Sequence, residues 1–385
     1  MRILFLIMVF VLSTTSCKSQ KRIKKDIPES YKKEYIKHKV PSDLVKKAVD
    51  VTKYLPKNYV KDGTVDYTKY IQKALDENKI VRFSKMSYLT TGISINSNSK
   101  IIFEEGALLK MKTNDLERYA IISLVGIENV ELYNPRVDGD LERRKSFKGE
   151  WGFGIDIRGS RNIKIFSPYV TNCFGDGIVI SKSKKGTQNK QLVNTSNIHI
   201  ENAFINYSGR NGISIISVDG LTLESPIIIN TFTKLPQSAI DIEPDTSSDI
   251  LNNILINSPF TYNNTDGILI HLKNFVGKNT KTSNITINNH TDLESSFPLN
   301  ISDLKEDKSL KQLSGNIIVN NPVWIGNRNS FVRGKSFGLS QKIEINNPVI
   351  KDLKLNNWKG KDVKKMNTKQ KILLQVKDET NFIVK

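Results

Sequence analysis

A five-residue unit recurs eight times between residues 131 and 348, and it limits the fold more than anything else in the chain. It reads Glu131-Leu-Tyr-Asn-Pro135, Lys164-Ile-Phe-Ser-Pro168, His199-Ile-Glu-Asn-Ala203, Thr222-Leu-Glu-Ser-Pro226, Leu255-Ile-Asn-Ser-Pro259, Thr286-Ile-Asn-Asn-His290, Ile318-Val-Asn-Asn-Pro322 and Glu344-Ile-Asn-Asn-Pro348. The spacings are 33, 35, 23, 33, 31, 32 and 26 residues. A constant strand core at a variable period is what stacked coils with loops of different length produce. Between these units runs a second strand that follows a small residue: Gly154-Ile-Asp-Ile157, Gly177-Ile-Val-Ile180, Gly212-Ile-Ser-Ile215, Ala239-Ile-Asp-Ile242 and Gly267-Ile-Leu-Ile270. Each coil therefore has at least two strands. Alternation sends the isoleucines to one side of the strand and the intervening side chains to the other, so the inner residues stack as an aliphatic ladder. Asn and Ser at the strand ends suit tight corners, and the proline that follows, having no N–H, marks a corner or a strand's first residue.

These signals predict an all-β chain whose body, residues 60–358, is a parallel β-solenoid. A short helix is expected from Asp66 to Asp76, with Ile71, Ala74 and Leu75 on one side, capping the first coil, because a bare end exposes apolar core and strand edges. Residues 18–59 are basic and lack a sustained pattern, which suggests a tether with some capping structure. Residues 359–385 are expected to close the other end, with strands at Ile372–Val376 and Phe382–Val384.

The first seventeen residues hold one charge, Arg2, an apolar run from Ile3 to Leu12, and small residues before Cys17. The run is too short to span a bilayer and reads as an export signal. Cys17 is then the expected lipidation site of a membrane-anchored lipoprotein, periplasmic or at the cell surface; an ordinary secretory peptide is the alternative. Of the two cysteines in the chain, lipidation of Cys17 leaves only Cys173, so no intramolecular disulfide is expected. The formal charge of +19 favours polyanions, and export leaves acidic glycans and lipid surfaces ahead of nucleic acid. The expected contact with the membrane is through the lipid anchor only.

The motifs Gly149-Glu-Trp-Gly-Phe-Gly-Ile-Asp-Ile157, Gly175-Asp-Gly-Ile-Val-Ile180, Gly209-Arg-Asn-Gly-Ile-Ser-Ile215 and Ser238-Ala-Ile-Asp-Ile-Glu-Pro-Asp245 resemble the pectate-lyase-like superfamily of right-handed parallel β-helices, over roughly residues 60–350. The resemblance implies that fold and a polysaccharide partner. It leaves the reaction open, since the superfamily holds lyases, hydrolases, epimerases and binding proteins. Asn264-Thr-Asp-Gly267 looks like an acidic motif of polygalacturonase-like hydrolases, but the paired-Asp strand, Gly-His-Gly turn and Arg-Ile-Lys segment of those enzymes do not follow it.

Aligning the second strands places Asp156, Val179, Ser214, Asp241 and Leu269 in one outward column, and Arg158, Ser181, Ile216, Glu243 and His271 in the next. Asp241, Glu243 and His271 are the candidate catalytic residues. Two adjacent carboxylates serve glycoside hydrolysis when one stays protonated and the other ionised. The same pair can instead hold calcium, the one cofactor candidate, although no motif demands a cofactor. In a lyase, His271 or Lys273 would abstract the proton beside a uronate carboxylate. Candidate substrate contacts are Asp156, Arg158, Arg210, Lys273, Trp151 and Tyr207, the last two as stacking platforms for sugar rings. Asp176, Asn211 and Asp266, each before a glycine, read as turn formers. The function expected is cleavage of a polysaccharide, an acidic one by the charge of the chain, by hydrolysis or elimination. The alternatives are a non-catalytic glycan-binding surface lipoprotein and an adhesin-like solenoid.

Overall fold

A computed structural model describes residues 23–31, 35–183, 193–352, 365–373, 376–377 and 379–385. Cys17 and the export signal lie outside the described residues. The strands form three sheets of twelve, eleven and nine strands among the described residues, every pairing parallel. One coil shows the plan: Arg161–Phe166 in the first sheet, Tyr169–Thr171 in the second, Ile178–Ser181 in the third. The chain has three strands per coil where the sequence units reveal two, because the second-sheet strands are only about three residues long and carry little pattern of their own.

The recurring unit ends the first-sheet strand and turns the corner. Its fourth residue, Asn134, Ser167, Asn202, Ser225, Ser258, Asn289, Asn321 or Asn347, has φ between 49° and 55°. Asn tolerates this left-handed region better than other side chains. The proline opens the second-sheet strand, and its carbonyl accepts from the next coil, as in Tyr169 N to Pro135 O at 2.8 Å and Phe260 N to Pro226 O at 2.8 Å. Its missing N–H leaves this bond intact. Asparagine ladders tie the corners: Asn320 Nδ2 donates to Asn288 Oδ1 at 2.8 Å, and Asn346 Nδ2 to Asn320 Oδ1 at 2.9 Å.

The interior is the predicted aliphatic ladder. Ile155, Ile178, Ile213, Ile240 and Ile268 follow one another in register, as do Ile157, Ile180, Ile215, Ile242 and Ile270. All are fully buried. Each such side chain contributes about 1.5–3 kcal/mol, so the stack, rather than any disulfide, holds the coils together. Cys173 is a free thiol buried in this core, and burial pushes its pKa up.

Helix Thr68–Glu77 caps the first coil, burying Ile71, Ala74 and Leu75 as expected. The solenoid begins earlier than residue 60, since Val49–Asp50 already pairs with Val81–Arg82. The expected tether is, over its described residues, a strap along the outside of the coils. Ile27 and Tyr31 pack on a cluster that includes Ile229, Phe260 and Tyr262, Tyr35 meets Tyr169 edge-on at 5.3 Å, and His38 stacks on Phe166 at 4.3 Å. Outward apolar side chains on those coils are what hold it there. At the other end Phe382–Val384 pairs with Ile343–Ile345 as a closing strand. Ile372, expected in a strand, is instead buried from helix Thr368–Leu373. Among the described residues no helix is long and apolar enough to cross a membrane.

Candidate active site

The third sheet carries the acids. Its register aligns Asp156, Val179, Ser214, Asp241 and Leu269, with Arg158 beside Ser181, as the repeat predicts. Glu243 N bonds to Ile215 O at 3.1 Å and His271 N to Ile242 O at 2.8 Å, which keeps the neighbouring column in step. Small residues at the strand starts allow this close stacking. A Cβ on Gly212 would sit 2.5 Å from Ala239 O.

A cleft of about 210 Å³ opens on this face, lined by Asp176, Asp241, Glu243, Asp245, Glu150, Arg210, Arg118, Arg158 and Trp151 among others. Asp241 faces outward but is only 2% exposed. Its Oδ2 accepts from Asn211 Nδ2 at 2.7 Å, while Oδ1 is buried and receives no hydrogen bond from a donor group. Burial, then the charges of Glu243 and Asp176, raise the Asp241 pKa well above the ordinary carboxylate value, and Arg210 only partly opposes this. The protonated acid can then donate to the Glu243 carboxylate within its reach.

Asp176 is buried in the same cluster. It accepts from Asn211 N at 3.1 Å and from Ser214 Oγ at 3.0 Å. Burial raises its pKa, with Arg210 working against the rise. Arg210 reaches Asp176 at 3.6 Å and Glu150 at 3.5 Å. Burial opposes the guanidinium charge, but Asp176, Glu150, Asp241 and Glu243 outweigh it and raise its pKa. The turn reading of Asp176 and Asn211 is thus incomplete, because both bond to the acid cluster. Glu150 and Arg118 belong to the cleft too; Glu150 stands inside the Gly149-to-Ile157 motif, next to Trp151.

The remaining candidates fall as follows. His271 Nδ1 lies 3.8 Å from Glu243 Oε1 and lines the adjoining groove. Arg158 lines the cleft and pairs with Asp156 at 2.6 Å; Asp156 sits behind it, its pKa raised by burial. Trp151 lines the cleft beneath Arg118, whose guanidinium is 5.1 Å from the ring centre. Tyr207 is not brought into the cleft: it sits at a left-handed corner with φ 63°, under Lys24 at 3.5 Å. Lys273 is exposed and lines neither cavity. For calcium, no group of three or more His, Cys, Asp or Glu is arranged to hold a metal among the described residues.

A larger concavity, about 1050 Å³, lies elsewhere, on the first sheet among Asn98, Asn129, Asn162 and Asn197. Its one carboxylate, Glu131, is already paired with Lys100 at 2.7 Å. Chemistry, not size, places the candidate active site on the third sheet.

No protein-family model matches the chain. It is 27% identical over 219 residues to the uncharacterized protein YclG of Bacillus subtilis (strain 168), a match covering 49% of this chain and 37% of the relative. The chain thus spans well under half the length of that relative. Among solved structures, the pre-mature bacteriophage phi29 gene product 12 superposes with a TM-score of 0.55 at 15% identity, covering 78% of this chain and 45% of that one. The endo-xylogalacturonan hydrolase of Aspergillus tubingensis does so with a TM-score of 0.50 at 13% identity, covering 76% and 82%. At these identities the likeness establishes the fold alone, a right-handed parallel β-helix.

Proposed function

We propose that the chain is a glycoside hydrolase acting on a polysaccharide. The observation that carries this is the buried Asp241 carboxyl beside Glu243 in the cleft, where burial and the neighbouring carboxylates favour its protonated form. In the reaction Asp241 gives its proton to the glycosidic oxygen as that bond breaks. Water attacks the sugar carbon, the Glu243 carboxylate takes its proton, and solvent restores the proton to Asp241 and removes the one on Glu243. Arg210 and Asp176 position the pair and set its charge. Elimination is less well supplied, because Lys273 lines neither cavity, His271 is turned to Glu243, and Arg210 is engaged by carboxylates. That the endo-xylogalacturonan hydrolase has a similar fold supports this reading.

The test is a panel of acidic and neutral polysaccharides, followed both by new reducing ends and by the absorbance of unsaturated uronates. Reducing ends without unsaturation support hydrolysis. Binding without cleavage would replace this reading with the glycan-binding one.

We further propose that Cys17 carries the lipid that anchors the exported protein. Cys17→Ser should shift it from the membrane to the soluble fraction, and unchanged sedimentation with membranes would remove the anchor from the account.

A further inference from the structure

The strap fixes where the chain before it leaves the coils. Asn230 Oδ1 accepts from Lys25 N at 3.1 Å, Asn230 Nδ2 donates to Lys25 O at 3.0 Å, and Asn263 Nδ2 donates to Ile23 O at 3.0 Å. Lys24 pairs with Glu142, and Lys25 pairs with Glu294 at 2.7 Å. Asn230, Asn263 and Glu294 each open a connection from the second sheet to the third, and Glu142 lies within another. These connections stack along one long edge of the solenoid, so Ile23 is held at that edge. Ile23 follows Cys17 by six positions, and Lys18, Lys21 and Arg22 stand between them. Six residues reach at most about 22 Å. A lipid on Cys17 therefore keeps this edge, more than any other part of the body, close to the bilayer.

The same edge carries apolar tips. Leu116, Phe147 and Leu235 lie on its loops 112–117, 139–150 and 230–237, and each is more than half exposed, as is Ile23. A lone exposed apolar side chain is ordinary, but these loops are tied together. Arg144 Nη2 donates to Leu116 O at 3.0 Å, Lys234 Nζ donates to Phe147 O at 2.8 Å, and Lys234 N donates to Gly209 O at 2.6 Å. Arg144 itself is buried, paired with Asp140 at 3.3 Å and lying 3.9 Å from the Phe174 ring centre. The tips are thus presented on a braced frame. Exposed Lys145 and Lys148 flank Phe147, the latter paired with Glu117 at 2.8 Å. Apolar tips among lysines, beside a short basic tether, match an anionic bilayer: the tips enter the acyl boundary while the cations meet the phosphates.

We propose that this edge is a lipid-facing surface, with Ile23, Leu116, Phe147 and Leu235 seated in the headgroup region of an anionic bilayer, so that the solenoid lies on the membrane. The proposal rests on the anchor reading for the position of the acyl chain, and it adds a contact made by the body itself. The test uses the mature protein extracted from membranes, its mass read for an acyl group on Cys17, then reconstituted into vesicles of phosphatidylethanolamine and phosphatidylglycerol. The Phe147→Trp and Leu235→Trp variants report contact with the edge. A Val125→Trp variant reports from the far end of a third-sheet strand, where Val125 is also exposed, and the parent supplies the baseline of its own tryptophans. With brominated lipids in the vesicles, both edge reporters should shift to the blue and lose fluorescence, while the Val125 reporter keeps its emission. Acylated protein with no quenching at the edge, or with equal quenching at Val125, would overturn the lipid-facing edge and leave the anchor standing. Protein without an acyl group whose edge reporters are still quenched would remove the anchor and keep the edge. Neither acylation nor quenching would overturn both.

Discussion

Asp241→Asn should lower turnover on the true substrate by about a hundredfold or more while leaving the coil stack intact. The amide has the shape of the protonated acid and can keep the bond to Asn211 Nδ2, now 2.7 Å, but it has no proton to deliver. Glu243→Gln should cost about as much, since it removes the base. His271→Ala should act mainly on KM, because His271 meets Glu243 at 3.8 Å from the groove side. A stability measurement separates chemistry from misfolding. The folded-state pKa of Asp241 lies well above 3.8, so its contribution to stability is fully present below the ordinary carboxylate range and is lost as pH rises through the raised value. The Asn variant has no charge to bury. Its Tm should therefore exceed that of the parent at alkaline pH, with the gap closing as the pH falls. Near-parental turnover in both amide variants would move the site elsewhere on the sheet.

The isoleucine spacing made the register of the third sheet readable, and with it the meeting of Asp241, Glu243 and His271. Period-two alternation fixes which side chains share a face, and a single-residue slip would invert all of them. Glu150, Asp176 and Arg118 were harder to place in the cleft. Asp176 precedes a glycine, as a turn former would, and only the three-dimensional stack shows Ser214 and Asn211 bonding it from the next coil. Glu150 ends a link whose path no periodicity predicts. The strap was hidden for a related reason. Ile27, Tyr31, Tyr35 and Leu44 pack on side chains from different coils, so their spacing follows the outside of the solenoid instead of any period of their own.

Trp324→Ala should destabilise the protein by about 3–5 kcal/mol, among the largest effects of any single side chain. Trp324 is fully buried and lies parallel to Phe331 at 6.2 Å. Its indole Nε1 also donates to His290 Nδ1 at 3.3 Å. His290 Nε2 meets Thr261 Oγ1 at 2.8 Å, and the Thr261 hydroxyl donates to Asp292, which also accepts from Asn327 Nδ2. Burial pushes the His290 pKa down to about 3, so the ring stays neutral and needs the indole donor on one side. Truncation leaves a cavity and an unsatisfied imidazole nitrogen, the latter costing about a further 1–3 kcal/mol. Trp324→Phe should recover the cavity part of the loss but not the hydrogen bond. Equilibrium urea unfolding of the two variants measures both parts. A loss below about 1 kcal/mol for Trp324→Ala would show that this interior network does not hold the coils.

The hydrolytic role of Asp241 and Glu243 is tested most directly by letting the protein cut its polymer in water enriched in heavy oxygen and weighing the products. Attack by water predicts one heavy oxygen atom in each new reducing end, no unsaturated ends, and loss of both product and label in Asp241→Asn. Unsaturated products free of the label, or labelled products formed equally fast by Asp241→Asn, would contradict the account.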